Sequence, residues 1–174
     1  DSAYSYTTTA SDVDVGDTVT LSCTTVPAWL TCTAGALSGT PDNDDVGSHS
    51  VVITASDGNG GSATDSFSIA VANTNDAPTI TSTAVTAATE DAAYTYTVTT
   101  ADVDVNDAVT LTGTTVPSWA TFTASTGVLA GTPLDADVGD NSVVITASDG
   151  DASVTDTFTI AVANTNDAPS VSST

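Results

Sequence analysis

The chain has 174 residues, with 22 Asp and Glu, no Lys or Arg, one His and a formal charge of −22. Nucleic acids and anionic membrane surfaces are bound through Lys and Arg, so both are excluded as partners. Uncompensated carboxylates repel one another, so the compact state calls for cations from solution. Apolar residues still make up 40% of the chain and fall in alternating runs, the pattern of a folded rather than a disordered protein. No apolar run has the length of a membrane span, and no basic-then-apolar leader opens the sequence. The expectation is a mature or excised piece, with any export signal or anchor elsewhere and no membrane insertion.

Taken in chain order, the predicted elements come round twice. Tyr4, Tyr6 and Thr8 alternate as a first strand, followed by Val13-Asp14-Val15, a strand through Val19, Leu21 and Cys23, then Val26-Pro27 and Trp29. Gly39-Thr40-Pro41 marks a turn. Val51, Ile53 and Ala55 form a central strand ending at Asp57, and Phe67, Ile69 and Val71 form the last one, facing the same core as Trp29 and Leu37. The same order returns as Tyr94, Val103-Asp104-Val105, Val116-Pro117, Trp119, Gly131-Thr132-Pro133, Val143 to Asp149 and Asn164-Thr165-Asn166-Asp167-Ala168-Pro169. The offset is 90 at Tyr4/Tyr94, 92 at Pro41/Pro133 and 91 at Pro78/Pro169, so length changes fall in turns. A unit of this length is too long for a solenoid repeat and fits a small domain strung as beads. Thr, Ser and Val in period-two runs, punctuated by Gly, Asp, Asn and Pro, predict an all-β fold. Specifically, they predict two tandem antiparallel Greek-key sandwiches of about seven strands each.

The expected division is residues 1–76 as repeat 1, residues 77–167 as repeat 2 and residues 168–174 as a further piece. Asp1 corresponds to Asp91, so repeat 1 is expected to lack the first strand that residues 78–90 supply to repeat 2. Residues 168–174 restate residues 77–83, as the start of a next repeat or as a strand donated to another copy.

The order of Asp102-Val103-Asp104, Thr126-Gly127-Val128, the Ala147-Ser148-Asp149 strand end and the Asn166-Asp167-Ala168-Pro169 linker resembles a cadherin repeat. With the Pro-x-Trp and Gly-Thr-Pro signatures added, both copies more closely resemble the dystroglycan-type cadherin-like modules of large bacterial surface and secreted proteins. The resemblance implies calcium between successive domains. Asn73, Asn75 and Asp76 would meet Asp102, Asp104 and Asp149, with Asp42, Asp44 or Asp45 joining from repeat 1. Asp12, Asp14 and Asp57 would form half of the same site with a preceding domain. Glu90, Asp135 or Asp137, Asn164, Asn166 and Asp167 would form half of one with a following domain. The family's Asp-Arg-Glu triplet is absent, replaced by Pro41-Asp42-Asn43-Asp44-Asp45 and Pro133-Leu134-Asp135-Ala136-Asp137. Calcium also follows from the chemistry, since a hard cation takes six to eight oxygens and Asp12 and Asp14 sit two apart on an extended segment. Asp42, Asp44, Asp45, Asp135 and Asp137 serve equally well as turn formers.

Cys23 and Cys32 are replaced together by Gly113 and Phe122 in the second copy, the trace expected of a cross-link between adjacent strands. A disulfide facing the core is expected, with two buried free thiols as the alternative. Trp29 and Trp119 read as core residues, and His49 as a surface turn residue. One His and no nucleotide loop leave no catalytic constellation, so no enzyme is expected. The sequence thus predicts an extracellular or cell-surface calcium-stiffened tandem repeat, acting as spacer, adhesin stalk or filament body. Its partners are neighbouring repeats, copies of itself, or a cell-surface glycan or protein. A self-assembling filament subunit and a carbohydrate-binding module are the alternatives.

Overall fold

A computed structural model of the chain describes residues 2–105 and 107–171. Two compact units emerge, Asp1–Thr74 and Asn75–Thr174. Residues 172–174, part of the expected donated strand, and Asp1 lie outside the described residues.

Among the described residues unit 1 contains six strands: β1 (Tyr4–Thr7), β2 (Thr20–Thr25), β3 (Leu30–Thr33), β4 (Ala36–Gly39), β5 (Gly47–Ser56) and β6 (Ser62–Val71). They form two antiparallel three-stranded sheets in the orders β1-β4-β3 and β2-β5-β6. Long strand β5 is central, as its alternation requires: Val51 and Ile53 are buried, while Ser48 and Ser50 face out. Leu30, Leu37, Val51, Ile53 and Ile69 make the core, with Trp29, Phe67, Cys23 and Cys32 packed against it. Gly39 is fixed by close approach, because a Cβ there would collide with the Trp29 carbonyl, and Gly131 meets Trp119 in the same way. The Gly-Thr-Pro signature is therefore a packing device between the Trp turn and the strand beside it.

Among the described residues unit 2 contains nine strands: β7 (Thr79–Ile80), β8 (Ala87–Thr89), β9 (Tyr94–Thr97), β10 (Thr100–Ala101), β11 (Thr110–Thr115), β12 (Ala120–Thr123), β13 (Val128–Gly131), β14 (Gly139–Ser148) and β15 (Ser153–Ala163). One sheet runs β12-β13-β9, the other β11-β14-β15-β8, and β7 pairs with β10. The strand count is larger than in unit 1, and one pairing departs from the antiparallel expectation: β8 runs parallel to β15, Ala87 opposite Ala161 through Thr89 opposite Ala163. The segment enters along the last strand in the same chain direction, held by Ala161 N–H to the Thr86 carbonyl and Glu90 N–H to the Ala163 carbonyl, each 2.9 Å. The core is correspondingly larger, with Tyr94, Tyr96, Val98, Leu129, Val143, Ile145, Ile160 and Val162 all buried.

The cysteines form a disulfide, Cα–Cα 6.3 Å, between β2 and β3. Those strands belong to different sheets, so the bond staples the sandwich across its layers. In unit 2 Phe122 fills the corresponding space, and a Cβ on Gly113 would meet the Phe122 ring at 3.0 Å. The paired exchange is steric: the ring needs the glycine. His49 corrects the expectation of a surface turn. It lies in β5, half-buried, its ring 6.0 Å from the Trp29 ring centroid and its Nε2 2.6 Å from the Asp45 carbonyl. Its counterpart Asn141 accepts from Trp119 Nε1 at 3.1 Å.

Candidate metal centres

At the start of unit 2 the turn after β10 folds back so that Asp104 N–H donates to Asp102 Oδ1 at 3.0 Å. This local Asx turn places the two side chains of the Asp-x-Asp pair together. Asp107 N–H reaches the Asp104 carbonyl at 3.4 Å, and carboxylate oxygens of Asp102, Asp104 and Asp107 lie within 4.8 Å of one another. Asp104 is 5% exposed and accepts from Asp76 N–H at 2.6 Å. The Asn75 amide donates to Asp149 Oδ2 at 3.1 Å. Asp149 is held below the usual carboxylate range chiefly by the Ala152 N–H, then by the Asn75 amide, against partial desolvation. Desolvation, then the Asp104 and Asp102 charges, raise Asp107. With no Lys or Arg in the chain, these carboxylates have no lysine or arginine counter-ion.

The other end of unit 2 carries a second cluster, in which Glu90, Asp91, Asp135 and Asp167 bring carboxylate oxygens within 4.8 Å. Glu90 is 2% exposed; its Oε2 accepts from Thr165 N–H at 3.0 Å, and its carbonyl from Thr165 Oγ1 at 3.3 Å. The Asp135 carboxyl beside it, more than any other neighbour, raises the Glu90 carboxyl above the ordinary range. Two buried oxygens in these clusters, Glu90 Oε1 and Asp102 Oδ2, meet no hydrogen-bond donor among the described residues. A buried carboxylate oxygen without a donor is costly unless a cation faces it. The donor set is all oxygen, which suits a hard divalent ion.

Unit 1 has a third group, Asp12, Asp17 and Asp57, again within 4.8 Å. Asp57 also accepts from Asn59 N–H at 2.7 Å and Gly61 N–H at 2.9 Å, which shapes the β5–β6 turn. Asp14 donates its N–H to Asp12 Oδ1 at 2.9 Å, and its side chain is exposed, unlike Asp104.

Several expected ligands are engaged as turn formers. Asp42, Asp44 and Asp45 form a capped 3-10 turn in which Asp42 accepts from Asp44 N–H and Asp45 accepts from Asp42 N–H. Asp137 accepts from Leu134 N–H at 2.9 Å, leaving Asp135 as the one that stands with Glu90. Asn73 is exposed, and the Asn164 and Asn166 amides donate to the carbonyls of Thr165 and Asp167. Sequence reasoning missed Asp17, Asp107 and Asp91. Asp17 and Asp107 carried a signal, since they repeat at the same offset of 90 as the Asp-x-Asp pairs.

The class of protein is now defined: tandem, acidic, all-β sandwiches. The chain belongs to the Putative Ig domain family (He_PIG), whose model matches residues 1–72 and 77–163. Among solved structures it is similar to protocadherin gamma B2 extracellular cadherin domains 1–5, at 15% identity and a TM-score of 0.57 over 87% of this chain and 34% of that one. Human protocadherin-24 EC1-2 is similar at 17% identity and 0.52, over 85% of this chain and 83% of that one. These likenesses establish the fold. The endo-fucoidan hydrolase MfFcnA4 of glycoside hydrolase family 107 is 31% identical over 87% of this chain, with a TM-score of 0.47. The chain spans only 24% of that enzyme's length. Comparison with curated proteins finds no match. No helix among the described residues is long and apolar enough to cross a membrane.

Proposed function

We propose that the chain is a non-catalytic extracellular tandem spacer or adhesin stalk whose units are stiffened by calcium, of the dystroglycan-type cadherin-like kind found on bacterial surfaces. The observation that carries it is the pair of donorless buried oxygens, Asp102 Oδ2 and Glu90 Oε1, each inside a carboxylate cluster in a chain without Lys or Arg. Asp102, Asp104, Asp107 and Asp149 with Asn75 and Asp76 would hold one ion, and Glu90, Asp91, Asp135 and Asp167 a second. Asp12, Asp17 and Asp57 would hold a third. Bound calcium supplies the positive charge that lets these side chains stay ionised at close range. The chain's own part is to fix them: the Asx turn orients Asp102, the Asp76 N–H orients Asp104, and the Thr165 N–H holds Glu90. The functional division proposed is residues 1–76, 77–167 and 168–174.

Calorimetric titration of the metal-free chain with calcium tests this. Heat of binding and a stabilisation of about 3–4 kcal/mol at 100 to 1,000 times the dissociation constant are expected, reversed by chelator. Asp102→Asn and Asp104→Ala should lose a site that His49→Ala keeps. Absence of heat together with an unchanged melting curve would refute the reading.

A further inference from the structure

The β5–β6 turn of unit 1 is one residue longer than the β14–β15 turn of unit 2: Asp57-Gly58-Asn59-Gly60-Gly61 stands where unit 2 has Asp149-Gly150-Asp151-Ala152. The leading carboxylate organises both turns. Asp149 Oδ1 accepts from Asp151 N–H at 2.7 Å and Ala152 N–H at 2.6 Å, and Asp57 Oδ1 accepts from Asn59 N–H at 2.7 Å and Gly61 N–H at 2.9 Å. Each hairpin then closes at 3.3 Å, Asp57 N–H on the Gly61 carbonyl and Asp149 N–H on the Ala152 carbonyl. Gly60 is therefore the inserted residue, and its N–H meets no acceptor among the described residues.

The surroundings of that N–H are open. Gly60 has φ +112°, which glycine adopts without steric cost, and a Cβ built on it would meet nothing within 4 Å. Asn59 before it is exposed, and its side-chain amide makes no hydrogen bond among the described residues. A carboxamide one residue ahead of an unhindered, unbonded backbone nitrogen is placed for closure of a five-membered ring, an intramolecular attack that needs no second molecule. Every other asparagine is followed by a residue with a side chain. After Asn43, Asn75 and Asn164 the next N–H is also in use, on Asp42, Asp104 and Glu90 respectively. The adjacent Asp57-Gly58 step and its counterpart Asp149-Gly150 differ in both reactants. An ionised carboxylate is a poor electrophile, and the Gly58 and Gly150 N–H groups are held by Ser56 Oγ at 3.3 Å and Ser148 Oγ at 3.2 Å.

We infer that Asn59-Gly60 is a self-modifying site at which Asn59 deamidates without an enzyme. The Gly60 nitrogen loses its proton and attacks Asn59 Cγ. The N–Cγ bond forms, the Cγ–Nδ2 bond breaks, and the side-chain nitrogen takes up the proton and leaves as ammonia. Water then opens the cyclic imide at either carbonyl, which leaves an aspartyl or an isoaspartyl residue at position 59. In sum an amide and water become a carboxylate and ammonium, with no change of oxidation state. The aspartyl product gives unit 1 the residue type that unit 2 already carries as Asp151. The isoaspartyl product adds a backbone carbon to the turn that holds Asp57. Either one places a new negative charge beside Asp57.

Incubation of the intact chain across neutral to mildly alkaline pH, followed by intact mass measurement and peptide mapping, tests this. Expected is the mass gain of an amide turned acid at position 59, ahead of every other asparagine, with ammonia released in equal amount. Methyl transfer by an isoaspartate methyltransferase should label the same peptide. The rate should climb with pH, because the attacking nitrogen must first lose its proton. Asn59→Gln, a change on an exposed turn tip, should abolish the conversion because a larger ring would have to close. Gly60→Ala should slow it by crowding the nitrogen. An amide at position 59 that persists, or one lost no faster than those of Asn73 and Asn166, would overturn the proposal. A rate indifferent to pH would overturn it as well.

Discussion

Two units of nearly the same sequence solve the same packing problem differently. Unit 1 buries five core residues and staples its sheets with Cys23–Cys32; unit 2 buries eight, closes the matching space with Phe122 over Gly113, and adds β7, β8 and β10. A covalent link and a ring packed over a glycine are interchangeable answers at this place in the sandwich. A modest core gains most from a cross-link, because the bond acts on the unfolded chain rather than on packing.

The largest test of that equivalence is to empty the unit 2 plug. Phe122→Ala should cost about 3 kcal/mol, the low end for a large aromatic because the ring is half-buried, seen as faster hydrogen exchange in unit 2 alone. Reducing the disulfide should cost unit 1 about 2–3 kcal/mol by loop entropy and leave unit 2 unmoved. Moving the staple sharpens the point: the double variant Gly113→Cys with Phe122→Cys should form a disulfide, detected as loss of alkylatable thiols. Gly113→Cys alone should destabilise, since its Cβ collides with the retained ring.

Smaller differences should follow the tyrosines. Tyr94, whose hydroxyl donates to the Val85 carbonyl at 2.7 Å and whose pKa burial pushes up to about 12, should lose about 1 kcal/mol as Tyr94→Phe in a denaturant melt. Tyr4→Phe should lose nothing measurable. The smallest effect concerns pH. The Glu90 and Asp107 carboxyls are raised in the folded state, so without calcium their contribution to stability is full below the unfolded values and is lost as pH rises through the folded ones. Asp149 is lowered and acts in the opposite sense, losing its contribution as pH falls through its folded value. Metal-free unit 2 should therefore melt slightly higher as pH drops from neutral toward 4.5, the ordinary Glu value, before Asp149 protonates. Calcium should flatten that slope.

The strands, the inward faces of Val51, Ile53, Phe67 and Ile69, both tryptophans and the disulfide were legible because period two and paired exchange are local signals. The parallel β8–β15 pairing was not, since it joins residues more than 70 apart in sequence with no turn to announce it. His49 was misplaced because a polar residue on the inward face of a strand breaks the alternation, and only its contact with Trp29 explains it. Among the acids, what separates a cap from a candidate ligand is a buried oxygen that meets no donor beside the one a backbone N–H occupies. Asp45 and Asp137 differ from Asp102 in this respect, although all three look alike in sequence.

The β8–β15 pairing has a mechanical consequence. Residues 87–89 lie near the start of unit 2 and residues 161–163 near its end, running in the same direction. Tension applied between the two ends loads the hydrogen bonds from Ala161 to Thr86 and from Glu90 to Ala163 in shear, together, instead of opening them one after another. Forced unfolding is governed by the rate of crossing that barrier. Under such a load the β8–β15 pair yields as a unit rather than bond by bond.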